Sequence, residues 1–306
     1  MRTINLGSAG LMVPVIAAGC MRINKLEKAE AARFVKTALD LGANFFDHAD
    51  IYGGGTCEEI FSSAIGMTPS IRDKIIIQSK CGIRPGTAFD FSKEHILASV
   101  DKSLGRLKTE YLDVLLLHRP DALAEPEEVA EAFGVLQVSG KVRYFGVSNQ
   151  NPMQIRLLRR FVKQPLVANQ LQLSITNCTM ISQGLHNNMQ DEFAVQRDGS
   201  VLDYCRLNDI TVQPWSPFQH GFFGGVFLGN PEFRELNACV DGIAKKYSVA
   251  NTTIAMAWLL RHPANMQPVT GTMNIGRFKD CVKASEITLT RDEWYSIFLA
   301  AGNNLP

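Results

Sequence analysis

Short apolar runs, each bounded by Gly, Pro, Asn or Asp, alternate along this chain with longer amphipathic stretches, and few folds accommodate that order. The runs are VIAAG (15–19), NFFDHA (44–49), KIIIQSK (74–80), YLDVLLLH (111–118), KVRYFGVS (141–148), LVANQLQ (166–172), ITVQPWS (210–216) and MQPVTG (266–271). Their length and their Val, Ile and Phe content predict strands. Between them lie segments with helical spacing. KAEAARFVKTALDLG (28–42) carries Ala32, Val35, Leu39 and Gly42 roughly in register, with the glycine as terminator. SKEHILASVDKSLGRL (92–107) opens on Ser92 as N-cap, with His95 three residues on and so no capping box. PEEVAEAFGVLQVSG (126–140) behaves likewise.

Eight strands interleaved with helices predict an α/β fold with a parallel sheet buried on both faces. Eight is also the number that closes a (β/α)8 TIM barrel. The competing architecture, an open doubly wound sheet, normally carries a Gly-rich phosphate turn after its first strand, and GCMRIN (19–24) is no GxGxxG. TINLGSAGLMVP (3–14) reads as two short strands around Gly7–Gly10, an N-terminal β-hairpin plug for the lower end of the barrel. No linker, repeat or low-complexity segment interrupts the pattern, so residues 1–306 are expected to form a single domain.

Composition narrows the function classes. Lys and Arg total 31 against 30 for Asp and Glu, with neither a basic stripe nor an acidic tail, which argues against nucleic-acid binding. Seven cysteines without a CxxC pair fit a reducing compartment and speak against a disulfide framework or a zinc ribbon. The N-terminus lacks a secretory signal, and no window reaches the length of an apolar membrane span. The expectation is a cytoplasmic protein with no membrane or nucleic-acid partner; nothing in the sequence identifies a dimer face.

In a barrel of this kind the chemistry collects at the C-terminal strand ends. The second run ends on Asp47, with Tyr52 in the following loop beside Gly53–Gly55; the third ends on Lys80 and the fourth on His118. Next come Ser148 and Asn149, then Gln170, then Trp215 and Ser216. Singly, each has an ordinary structural role. Together, three consecutive strands ending in ionisable groups converge on one rim. A phenol with an unperturbed pKa of about 10 needs roughly 4 kcal/mol of help to titrate near neutrality. A neighbouring ammonium supplies much of that, a carboxylate keeps the ammonium charged and aimed, and a neutral imidazole directs the substrate oxygen. Asp47, Tyr52, Lys80 and His118 provide one group for each task.

These residues resemble the aldo-keto reductase superfamily of NAD(P)H-dependent barrel oxidoreductases, and the resemblance covers nearly the whole chain. DHADIYGGG is similar to that family's Asp–x4–Tyr–Gly signature, SKCG to its lysine strand end, and LLLHRPD to its histidine strand end. GKVRYFGVSN and the NQ of VANQLQL resemble its carboxamide-binding segments. The resemblance implies reduction of aldehydes or ketones with Tyr52 as proton donor, and a small-molecule carbonyl as the partner. It implies a nicotinamide carboxamide on Ser148, Asn149 and Gln170, and its ring on Trp215 with Cys20 and Met21 (and Arg22) beneath. It implies a pyrophosphate wrapped by SPFQHGFFGG (216–225), including Ser216, Phe218 and Gly221. PVTGTMNIGRFKD (268–280) resembles the adenosine-phosphate segment, with Gly271, Thr272 and Arg277 at the 2′-phosphate of NADP and Asp280 at the adenine. Two positions depart from the pattern: Gly271 stands where many members have a lysine, and Cys281 where many have an adenine-contacting Asn. NADPH is the nucleotide implied, with NAD as the alternative.

Two other readings compete. A metal-dependent hydrolase would use Asp47, His48 and His118, but the other strand ends supply no further ligands, so no metal is expected. A nucleotide-binding redox sensor or regulatory subunit of the same fold would keep the same residues with little turnover. The stretch 174–200 is the longest irregular one, as functional loops are. Little sequence follows TRDEWYSIFLAAG (290–302), so the expected pocket is open and accepts small aldehydes or activated dicarbonyls with weak discrimination.

Overall fold

The computed structural model describes residues 1–187, 189, 192–195, 199–222 and 224–303. The strands are β1 (Thr3–Asn5), β2 (Met12–Pro14), β3 (Ala17–Gly19), β4 (Phe45–Asp47), β5 (Ile76–Cys81), β6 (Ile83–Arg84), β7 (Ala88–Phe89), β8 (Leu112–Leu117), β9 (Val142–Ser148), β10 (Leu166–Gln172), β11 (Thr211–Trp215) and β12 (Val269–Thr270). The main helices are α1 (Lys28–Asp40), α2 (Thr56–Ile65), α3 (Pro69–Arg72), α4 (Lys93–Leu107), α5 (Pro126–Val138), α6 (Pro152–Phe161), α7 (Thr179–Leu185), α8 (Val201–Leu207), α9 (Arg234–Tyr247), α10 (Asn251–Arg261), α11 (Ile275–Lys283) and α12 (Arg291–Ala300). Strands β3, β4, β5, β8, β9, β10, β11 and β12 pair in parallel and close into a barrel, the (β/α)8 fold expected from the alternation. No described helix is long and apolar enough to cross a membrane.

The hairpin pairs β1 with β2, Thr3 opposite Pro14. Leu6 and Val13 are fully buried against Phe45, Val114, Leu116 and Val167, residues of the barrel interior. Close packing also dictates one glycine: a Cβ on Gly146 of β9 would lie 2.7 Å from both the Ala168 carbonyl and a Leu116 methyl.

Helix α4 is capped as expected, the Ser92 hydroxyl accepting from the His95 N–H. Helix α1 differs from its expected register. Its buried stripe is Ala31, Phe34, Val35 and Ala38 instead of Ala32, Val35, Leu39 and Gly42. Phe34 decides this, because its ring meets Phe278 of α11 at 5.1 Å and turns that face inward. The stretch 174–200 is also less irregular than expected: it contains α7, which buries Ile181 and Ser182. Within that stretch, 188, 190, 191 and 196–198 lie outside the described residues.

Beneath the barrel wall, Asp113 of β8 holds a buried ionic cluster. It accepts from Arg72 at 2.7 Å, from the Ile77 N–H at 2.8 Å and from Arg143 at 3.1 Å. Arg72 and Arg143 also stack against Tyr111, at 3.7 and 3.8 Å from its centroid. Removing the carboxylate strands a buried guanidinium. Asp113→Ala is therefore expected to destabilise the fold by about 3–5 kcal/mol. Urea unfolding measures this, and a loss under about 1 kcal/mol would refute the cluster's structural weight.

Candidate active site

Side chains alternate along a strand, so Gln78 and Lys80 of β5 share the barrel-facing side while Ile77 and Ser79 face outward. Register places Asp47 of β4 beside Gln78. The Lys80 ammonium consequently reaches three acceptors: the Asp47 carboxylate at 2.8 Å, the His48 carbonyl at 2.7 Å and the Tyr52 hydroxyl at 3.1 Å. Lys80 is fully buried and Asp47 nearly so. Tyr52 starts a tight turn in which Gly53, Gly54 and Gly55 all have positive φ (58°, 65° and 97°), a backbone that glycine adopts without strain. A Cβ at Gly53 would also lie 2.7 Å from the Asn24 amide and from the Thr56 hydroxyl. The His118 ring stands edge-on to the Tyr52 ring, with centroids 6.0 Å apart.

Because Lys80 donates to the Tyr52 oxygen, the phenol's own proton is left free for another acceptor. Its electrostatics differ from the simple expectation of an acidified phenol. Burial raises the Tyr52 pKa, Lys80 lowers it, Asp47 raises it again, and the net result stands above the ordinary value. Lys80 lies above its own ordinary value as well, because Asp47 and Tyr52 together outweigh the burial that pulls it down. Here the phenol is a neutral acid with a cation beside it, which resists ionising until negative charge develops on the atom it faces. Burial first, then Lys80 and Arg119, push the His118 pKa well below the usual histidine range, so its ring is neutral.

A layer of buried glutamines supports the carboxylate; beyond Gln170, its members Gln78, Gln213 and Gln267 were missed in the sequence because glutamine is ordinarily a surface residue. Gln78 and Gln170 both donate to Asp47, at 2.6 and 3.1 Å. Gln78 and Gln213 exchange hydrogen bonds, Gln213 donates to Gln267, and Gln267 donates to the Pro14 carbonyl of the hairpin. His48 is buried edge-on to Phe61, its pKa is pushed down to about 3 by burial and Lys80, and neither ring nitrogen has a hydrogen-bond partner. No cluster of metal-ligating side chains occurs among the described residues.

A cleft of about 880 Å³ opens over these groups. Asp47, Tyr52, His118, Ser148, Asn149, Gln170 and Trp215 line one part of it. Ser216, Phe218, Gly271, Thr272 and Arg277 continue it along the barrel rim. Trp215 donates from its indole N–H to Asn149 at 3.3 Å, Asn149 donates to the Ser148 hydroxyl, and that hydroxyl donates to the Gln170 carbonyl. Met21 and Arg22 also line the cleft, with Arg22 donating to the Gly271 carbonyl at 3.3 Å.

Besides Lys80, which is fully buried beneath the cleft, three expected residues stand apart from its lining. Cys20 is buried with its thiol toward the Ala18 carbonyl. Asp280 lies on α11, where its backbone carbonyl accepts from the Thr253 hydroxyl. Gly221 lies in the flanking loop, its carbonyl held by Gln172 at 2.6 Å; of that loop, Phe223 lies outside the described residues. Cys281 does line the cleft, its thiol pushed up to about 12 chiefly by burial. Lys25 and Arg119 also line it unforeseen, although Arg119 directly follows the singled-out His118.

Similarity decides the family. A model of the aldo/keto reductase family matches residues 15–298. The chain belongs to the aldo/keto reductase family. It is 37% identical over 302 residues to the uncharacterized oxidoreductase YcsN of Bacillus subtilis (strain 168), covering 94% of each chain. It is 33% identical to a 6-dehydroglucose reductase of Novosphingobium aromaticivorans, covering 98% of this chain and 96% of that one. Among solved structures, the thermostable aldo-keto reductase Tm1743, in complex with the inhibitor epalrestat, superposes with a TM-score of 0.79. That match is 26% identical and covers 98% of this chain and all of the other. This aldo/keto reductase is thus an oxidoreductase acting on the carbonyl–alcohol pair.

The neutral state of its buried histidine is directly measurable. His118 ring resonances followed by NMR are expected to stay unshifted from pH 8 down to pH 5, because a depressed pKa leaves the imidazole unprotonated across that range. A titration centred near the ordinary histidine value would show that Lys80 and burial do not govern the ring.

Proposed function

We propose that this enzyme reduces aldehydes or ketones to alcohols with NADPH, and that Tyr52 delivers the proton. One observation carries the reading: the Lys80 ammonium donates to the Tyr52 oxygen at 3.1 Å, beside His118 at a cleft of dinucleotide size. When bound, the reduced nicotinamide supplies a hydride to the carbonyl carbon. Tyr52 donates its proton to the carbonyl oxygen as negative charge grows there, and the Lys80 ammonium stabilises the phenolate left behind. Neutral His118 directs the same oxygen by a hydrogen bond. Asp47 and its glutamines keep the ammonium charged and aimed.

The donor set fits a phosphorylated dinucleotide. Asp47 is the one Asp or Glu among the cleft-lining residues, against the cations Arg22, Lys25, Arg119 and Arg277. Ser148, Asn149 and Gln170 would hold the carboxamide, and the Trp215 face the ring. Ser216 and the loop carrying Phe218 and Gly221 would hold the pyrophosphate, with Gly271 permitting close approach. Thr272 and Arg277 would take the 2′-phosphate, a bidentate task suited to guanidinium. We further read residues 1–306 as one such domain, working in the reducing cytoplasm, where its seven thiols remain free.

Two measurements test this. Following NADPH absorbance with a panel of small aldehydes, Tyr52→Phe should lower turnover by about 10²–10⁴-fold. An undiminished rate in that variant would remove Tyr52 as the proton donor. In tryptophan-fluorescence titrations, Arg277→Ala should weaken NADPH binding by about tenfold or more while moving NADH far less. Equal losses for the two nucleotides would overturn the 2′-phosphate assignment.

A further inference from the structure

Arg119 lines the cleft, one residue beyond His118 and within electrostatic reach of Tyr52. Its guanidinium carbon lies 5.5 Å from the Trp215 ring centroid and 5.9 Å from that of Phe222. The neighbouring positive charge, Lys80, is balanced by Asp47. The charge on Arg119 has no such balance: among the described residues the cleft lining holds no other carboxylate. Asp121, two residues along, is committed to the backbone N–H groups of Phe91 and Leu123. Burial pulls the Arg119 pKa below the usual arginine value, with Tyr52 acting against it. An arginine remains cationic nonetheless.

We propose that Arg119 selects carbonyl substrates that carry a carboxylate, so that the preferred substrates of this cleft are small oxo acids. The inference rests on the reductase reading above. A guanidinium flanked by aromatic faces keeps its edge available, and that edge matches a carboxylate with two parallel hydrogen bonds. A neutral aldehyde leaves this half-buried cation to water alone. The substrate carboxylate is unchanged in the reaction. Hydride forms the new C–H bond at the carbonyl carbon, the carbonyl π pair moves to oxygen, and oxygen takes the Tyr52 proton.

The test compares glyoxylate and succinic semialdehyde with their methyl esters, using the full chain with saturating NADPH. The wild type should favour at least one acid over its ester by about tenfold or more in kcat/KM, chiefly through KM. Arg119→Ala should bring that ratio close to one, and Arg119→Lys should restore part of it. Calorimetric titration gives a readout apart from turnover: γ-hydroxybutyrate should bind the NADP-loaded wild type more tightly than its amide, and Arg119→Ala should erase the difference. Equal kcat/KM for acids and esters, with Tyr52→Phe still abolishing reduction of both, would overturn this inference and leave the reductase reading intact. Reduction that ignores Tyr52→Phe, or no reduction of any of these carbonyls, would remove both.

Discussion

The ion pair of Lys80 and Asp47, enclosed within the barrel, is the constraint on which the site depends. Two opposite charges withdrawn from water attract strongly, but their desolvation is costly unless every donor and acceptor finds a partner. Here the three ammonium donors reach Asp47, the His48 carbonyl and Tyr52. Asp47 receives two glutamine amides besides. A lysine so held has no freedom to drift, and the phenol it supports inherits that rigidity. Barrel closure makes this possible, because adjacent parallel strands bring residues distant in sequence into fixed register. The tight Gly53–Gly55 turn then folds Tyr52 back over the end of the neighbouring strand.

Much of the fold and of the candidate site could be read from residue order. Apolar runs bounded by turn residues mark parallel strands because both faces of such a sheet are buried. The ionisable groups at the ends of those runs then have one rim on which to converge, and Asp47, Tyr52, Lys80 and His118 do so. What stayed hidden depends on packing between distant segments. Gln78, Gln213 and Gln267 form a polar interior that no local pattern announces. The inward face of α1 is set by the contact of Phe34 with Phe278, far along the chain. Helix α7 hides in a stretch dominated by polar residues.

The acidity of Tyr52 was the least legible property. Sequence shows that an ammonium and a carboxylate lie near the phenol, but not how far the carboxylate cancels the ammonium, nor how much water is excluded. In the folded protein those two effects win, and the resting phenol is a weaker acid than free tyrosine. Cys20 illustrates the same limit: one residue of rotation along a strand turns a side chain from the cleft into the core.

The glutamine layer has a mechanical meaning as well. It links the Pro14 carbonyl of the hairpin to the carboxylate that holds Lys80. Each amide in the relay is oriented by the next, so the chain's first residues act as a keel for groups at the far rim. Trimming or remodelling that amino-terminal segment would thus disturb alignment of Asp47 and Lys80 without touching a single residue of the cleft.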